Sequence, residues 1–174
     1  YETRFTDLAL PFACVATDID TGEEIIISKG SVADAVRASI SIPGIFAPVF
    51  DNKRYLVDGG LTTPLPVQLA RDMGADFVIG VNVTPDITGR LSEMNRRRVE
   101  EHKQPNIFQI LLQSIYITTY SLSQAALASA DVGIEPDLGS INLGDFNRAR
   151  ETITIGREAA EAAIPEIRKK LAEL

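Results

Sequence analysis

Residues 54–83 read RYLVDGGLTTPLPVQLARDMGADFVIGVNV, and the fold turns on how this stretch is parsed. Arg54 to Val57 is short, apolar and β-favouring, which predicts a strand that ends at Asp58-Gly59-Gly60. Pro64 and Pro66 suit the first turn of a helix, where the missing proline N–H leaves no bond unmade. That helix is expected to reach about Met73, with Gly74 closing it in the left-handed conformation that glycine takes most readily. Phe77 to Val83 is then a nearly continuous apolar run, the pattern of a strand covered on both faces in a parallel sheet. Together these segments predict a β-α-β unit with a right-handed crossover.

Upstream, Leu10 to Thr17 and Glu24 to Ser28 read as two strands joined at Asp20-Thr21-Gly22. Ser31, followed by Asp34, marks the start of a short helix over Val32 to Ile40, which Pro43-Gly44 ends. Downstream, Gly89 to Gln104 is dense in charge, with Arg96-Arg97-Arg98 at its centre, and reads as a solvated connection. Asn106 to Ala130 carries no charged residue, and Phe108, Leu111, Leu112, Ile115, Leu122 and Ala126 mark one helical face. Interrupting Gln, Ser and Thr residues favour a helix buried in protein over a membrane span, which needs ~20 predominantly apolar residues. Asp131 to Pro136 reads as a last strand, and Arg148 to Leu174 as a terminal helix broken or kinked at Pro165. The expected fold is α/β: a layered, mostly parallel sheet flanked by helices, in one domain over 1–174 with an exposed connection at about 89–105.

The chain has 174 residues, 45% of them hydrophobic, enough for one domain with a core. Its net charge of -7 argues against nucleic acid, whose phosphates require Lys and Arg. Cys14 is the single cysteine, so no intrachain disulfide forms, and its place in an apolar strand fits a buried structural role. A reducing compartment is the expectation, with the chain cytoplasmic or peripheral to a membrane. Residues 1–10 contain no apolar signal-peptide core. Because the chain starts at Tyr1 and not at Met, the expectation is that an N-terminal half of the domain is missing and targeting stays undefined. Asp18 and Asp20 flank a turn and suit Asx-type hydrogen bonds. Asp131, Glu135, Asp137 and Asp145 have no metal-ligand spacing.

Asp58 is the candidate catalytic residue, with Gly59 and Gly60 as its turn. The carboxyl ends of strands in α/β sheets are where reactive groups collect. Asp-Gly alone fits a simple turn equally well. The glycines here, however, lead into Leu61-Thr62-Thr63-Pro64 and a helix, not into a second alternating strand.

Arg37 to Val49 (RASISIPGIFAPV), Tyr55 to Leu61 (YLVDGGL) and Pro64 to Val83 together resemble the Asp-bearing block of patatin-like phospholipases. The bacterial members related to neuropathy target esterase are the nearest in pattern. FACVATDIDTG at Phe12 to Gly22 and IEPDLGSINLGDF at Ile134 to Phe146 extend the likeness across nearly the whole chain. The resemblance implies an incomplete patatin-like fold and a serine acyl hydrolase acting on lipid esters. It implies a Ser–Asp dyad in which Asp58 is the general base, with no metal and no organic cofactor. The family's serine sits in a G-x-S-x-G elbow, preceded by a glycine-rich oxyanion loop, and neither motif occurs in these residues. Ser39 and Ser41 lack the flanking glycines of an elbow and read as packing and helix-end residues. His102, the single histidine, lies in the charged connection and fits a solvated side chain. The chain alone is therefore expected to be inactive. Its expected partners are a lipid or acyl ester, the missing N-terminal half, and a second copy if that half is absent. A non-catalytic assembly or lipid-binding module of patatin-like descent is the alternative. A Rossmann-like ligand-binding domain finds no support, for no G-x-G-x-x-G occurs.

Overall fold

The computed structural model describes residues 2–84, 104–138, 141 and 145–174. The chain divides into two compact units, Tyr1–Pro66 and Val67–Leu174. Both layer helix on sheet, so the fold is α/β. The charged connection expected at about 89–105, with Arg96-Arg97-Arg98 and His102, falls almost entirely outside the described residues.

The first unit is built on four strands: β1 (Cys14–Asp18), β2 (Glu24–Ile27), β3 (Val49–Asp51) and β4 (Arg54–Asp58). Their order is β2-β1-β4-β3, and every pairing is antiparallel. The β1–β2 hairpin forms where Asp-Thr-Gly marks it, with Gly22 at φ 72°. Strand β3 has no counterpart in the sequence reading. It folds back on β4 through Asn52 (φ 47°) and Lys53 (φ 65°), the two left-handed residues a tight hairpin needs. Helix α1 (Val32–Ser39) starts at Ser31, whose hydroxyl accepts the Asp34 N–H at 3.2 Å. It packs on β1 and β4 around Ala16, Ala38 and Leu56, with Ile25, Ile27 and Val49 at the margin.

These pairings correct the β-α-β expectation. Strand β4 lies between β1 and β3, so both of its hydrogen-bonding edges are occupied and no parallel partner can join it. The parallel character is found instead in the second unit. There β5 (Ile79–Val81) pairs with β6 (Val132–Ile134), Ile79 opposite Val132. Helix α2 (Val67–Asp72) begins just after Pro66, and Gly74 lies beyond its end at φ 96°. Helix α3 (Ile107–Leu127) begins at the expected place, with a reciprocal cap between Asn106 and Gln109. It is not the buried helix that its composition suggested. Ser123 is its only buried residue, whereas Ile107, Phe108, Ile110, Leu111, Ile117 and Leu122 are exposed. Its apolar periodicity names a face but not a partner for it. Among the described residues no helix is long and apolar enough to cross a membrane.

Helix α4 (Ala149–Leu171) packs on β6 and continues through Pro165 without a break. Glu161, whose carbonyl loses its helical donor there, is exposed, so solvent can replace the missing bond.

Candidate active site

Asp58 is the last residue of β4 and caps a short 3-10 turn over Gly59–Leu61. Two features of the sequence put it there. The β-favouring Tyr55-Leu56-Val57 carries the chain through the centre of the sheet, with Leu56 and Val57 buried. Gly59 then lets the chain pass directly over β1: a Cβ at that position would lie 2.2 Å from the Val15 carbonyl oxygen. No residue with a side chain fits without moving backbone, so this glycine is required for proximity, not for a left-handed φ.

Three bonds hold Asp58. Its N–H donates to the Ser41 carbonyl at 3.0 Å. Its carbonyl accepts the Thr17 hydroxyl at 3.0 Å. Its carboxylate Oδ1 accepts the Gly60 N–H at 2.7 Å. Among the described residues the second carboxylate oxygen, Oδ2, has no hydrogen bond. The side chain is half-buried, and burial pushes its pKa up while the Gly60 N–H acts in the opposite direction. The result is an aspartate anchored through one oxygen, with the other open and more basic than an ordinary carboxylate.

Ser41 is fully buried, and its hydroxyl is committed to Arg37. It donates to the Arg37 carbonyl at 2.7 Å and accepts from Arg37 Nη1 at 2.5 Å. Arg37 also donates to the Ala47 carbonyl at 3.0 Å and lies 5.5 Å from the centre of the Phe46 ring. A serine so engaged is no nucleophile, in keeping with the helix-end role expected for it. Ser39 is half-buried at the end of α1. Asp18 accepts the Asp20 and Thr21 N–H groups at 3.0 and 3.4 Å, the Asx geometry expected of this turn, and pairs with Arg54 at 3.6 Å. Cys14 is buried, which raises its thiol pKa. A groove of about 340 Å³ lies beside the β3–β4 turn, lined in part by Glu23, Ile25, Asp51 and Arg54, and Asp58 takes no part in it.

The sequence did not single out Thr17 or Thr62, whose hydroxyls meet 3.0 Å apart beneath the turn. Nor did it give Asp131 a role. Asp131 Oδ2 accepts the Val78 N–H at 2.7 Å and pairs with Arg71 at 3.0 Å. Lys170 donates to the Asp131 carbonyl at 2.6 Å.

Residues 1–71 match the patatin-like phospholipase family. An uncharacterized NTE family protein of Mycobacterium bovis is 32% identical over 175 residues, covering 93% of this chain and 30% of that protein. A Mycobacterium tuberculosis NTE family protein matches with the same figures, 32% identity over 93% of this chain and 30% of its own length. Patatin-like phospholipase domain-containing protein 7 of Mus musculus is 38% identical over 84 residues, 47% of this chain and 6% of that protein. The chain thus spans 30% of the length of the mycobacterial relatives that it matches nearly end to end. The family match takes in the segment that builds the Asp58 turn, and the chain over most of its length is similar to NTE-related patatin-like phospholipases.

Proposed function

We propose that this chain is part of a serine esterase of phospholipase or lysophospholipase type, in which Asp58 is the general base of a Ser–Asp dyad. The observation that carries this reading is the state of the carboxylate: one oxygen fixed by Gly60, the other open, and a pKa raised by burial. A base works best when its pKa approaches the working pH, and burial moves Asp58 in that direction. The serine is supplied by a G-x-S-x-G elbow N-terminal to these residues in the same polypeptide, together with the glycine-rich loop whose N–H groups receive the oxyanion.

In the first step Asp58 takes the serine proton as the hydroxyl oxygen attacks the ester carbonyl, and the same proton leaves with the alcohol. In the second step a water loses its proton to Asp58 as it attacks the acyl-enzyme, and Asp58 returns that proton to the departing serine oxygen as the fatty acid is released. The chemistry needs neither a metal nor an organic cofactor. The protein works in the cytoplasm or at a membrane surface, where acyl lipids are reached.

Asp58→Asn in the full polypeptide tests the assignment. A serine without its base is expected to lose at least about a thousandfold in kcat, in line with the loss of a dyad or triad member. Circular dichroism is expected to stay unchanged. Turnover of a chromogenic acyl ester at the parent rate would remove Asp58 from the mechanism. Residues 1–174 alone are expected to hydrolyse no ester above background, and activity abolished by Asp58→Ala in that chain would overturn the placement of the serine.

A further inference from the structure

We infer that Thr17 is a positioning residue for Asp58: its buried hydroxyl, backed by Thr62, fixes the peptide groups that aim the carboxylate. The inference rests on Asp58 acting as the base and adds how that base is held.

Thr17 lies in the middle strand pair, opposite Val57 on β4 and Glu24 on β2, and is 3% exposed. Its neighbours Val15 and Ala16 are apolar and buried. Valine has the same shape, is at least as favourable in a strand, and brings no polar atom into the interior. A threonine at this site is accounted for by its bonds, not by its packing. Those bonds converge on the Asp58 turn. Thr17 Oγ1 donates to the Asp58 carbonyl at 3.0 Å and lies 3.0 Å from Thr62 Oγ1. Thr62 Oγ1 is in turn 3.3 Å from the Gly59 carbonyl, to which it can donate. Each hydroxyl has one proton. The Thr17 proton goes to Asp58, and the Thr62 proton is divided between Thr17 and Gly59.

The two hydroxyls therefore grip two consecutive carbonyls. The first fixes the plane of the Asp58–Gly59 peptide. The second fixes the plane of the Gly59–Gly60 peptide, which carries the N–H that anchors Asp58 Oδ1 at 2.7 Å. Glycine at 59 leaves this turn without side-chain restraint of its own, because the approach to Val15 forbids a Cβ. Within the turn the Gly59 carbonyl also accepts the Thr62 and Thr63 N–H groups at 3.1 and 2.8 Å, whereas the Asp58 carbonyl is held from across the sheet, by Thr17 on β1. A base that acts through its open oxygen depends on that direction, since a displacement of about 1 Å can reduce turnover by about a hundredfold.

The test uses the full polypeptide and a soluble chromogenic acyl ester. It compares Thr17→Val, Thr17→Ser and Thr62→Val with the parent and with Asp58→Asn. Thr17→Val is expected to lower kcat at least about tenfold with little change in KM. Loosening the Gly60 anchor removes a bond that favours the ionised carboxylate, so the acid limb of kcat/KM is expected to move to higher pH. Thr17→Ser keeps the hydroxyl and is expected to restore both. Thr62→Val is expected to shift the limb in the same direction by less, and it serves as the readout if Thr17→Val fails to fold. A merely structural hydroxyl would lower thermal stability and leave kcat per folded molecule and the acid limb where they were. That result overturns the inference while leaving Asp58→Asn inactive. An active Asp58→Asn overturns both readings at once.

Discussion

Asp58 and Asp131 make the same short bond and end in opposite states. Each carboxylate accepts one backbone N–H at 2.7 Å, from Gly60 and from Val78 respectively. Yet Asp58 is raised above the ordinary aspartate pKa, with burial the largest cause, and Asp131 is lowered, with the Val78 N–H the largest cause and Arg71 adding to it. The difference lies in their company. Asp131 has a guanidinium at 3.0 Å and an open flank to solvent, so its charge is stabilised twice. Asp58 has no cation beside it among the described residues, and the strand end that holds it removes water. One aspartate ties α2 to the start of β6 as an ionised strut. The other is kept less comfortable as an anion, which suits a proton acceptor. A single hydrogen-bond length does not set the state of an aspartate; the surrounding charge and burial do.

The largest effect that can break this contrast is steric. Gly59 sits under the Asp58 turn, and an added methyl would lie 2.2 Å from the Val15 carbonyl oxygen, a backbone atom held in the sheet. In the second unit, a methyl on Gly133 of β6 would lie 2.9 Å from Leu127 Cγ, a side chain able to turn away. Gly59→Ala is expected to destabilise by about 3 kcal/mol or more, and Gly133→Ala by about 1 kcal/mol. Urea unfolding of the two variants measures the gap. Equal losses would mean that the Asp58 turn is as yielding as the packing around β6.

Next in size is Asp131→Asn. Asparagine keeps an oxygen for the Val78 N–H but leaves Arg71 without its charge partner. The unfolding midpoint at neutral pH is expected to fall. The sign with pH comes from the lowered pKa: the stabilisation is complete above the unfolded value and is lost as pH falls through the lower, folded one. The gap between parent and variant should therefore close in strong acid. A midpoint untouched at pH 7 would reduce the Arg71–Asp131 pair to an ornament of the surface.

Much of the Asp58 site was legible because its signals are local. A strand, Asp-Gly-Gly, a proline pair and a helix start stand within 54–67, and the structure keeps that order. The β1–β2 hairpin and the Ser31 cap were readable for the same reason. What escaped depends on pairs distant in the chain. Thr17 meets Asp58 across 41 residues, and Asp131 meets Arg71 across 60. No spacing rule connects them. The direction of β4 was misread because an apolar strand leading into a helix looks alike in parallel and antiparallel sheets. The signal that would have corrected it is Asp51-Asn52-Lys53, since Asn tolerates the left-handed conformation that a tight hairpin needs. Helix α3 was legible as a helix and not as an exposed one, because periodicity reports a face without reporting what covers it.

The smallest expected effect is the one that most sharpens the comparison. Asp58→Asn removes the charge that burial disfavours, while the asparagine oxygen can still accept the Gly60 N–H. For a group whose folded pKa is raised, ionisation opposes folding: the parent is relatively most stable below that pKa and loses ground as pH rises through it. At neutral pH the variant is thus expected to unfold at the same denaturant concentration as the parent or slightly higher. Any such advantage should vanish as acid protonates Asp58 in the parent. Solvent reaches this half-buried side chain, which keeps the gain small. A fall at pH 7 matching that of Asp131→Asn would make Asp58 another strut. No fall, combined with lost turnover, would mark a residue whose place at the end of β4 is owed to chemistry, since stability alone would favour the uncharged side chain.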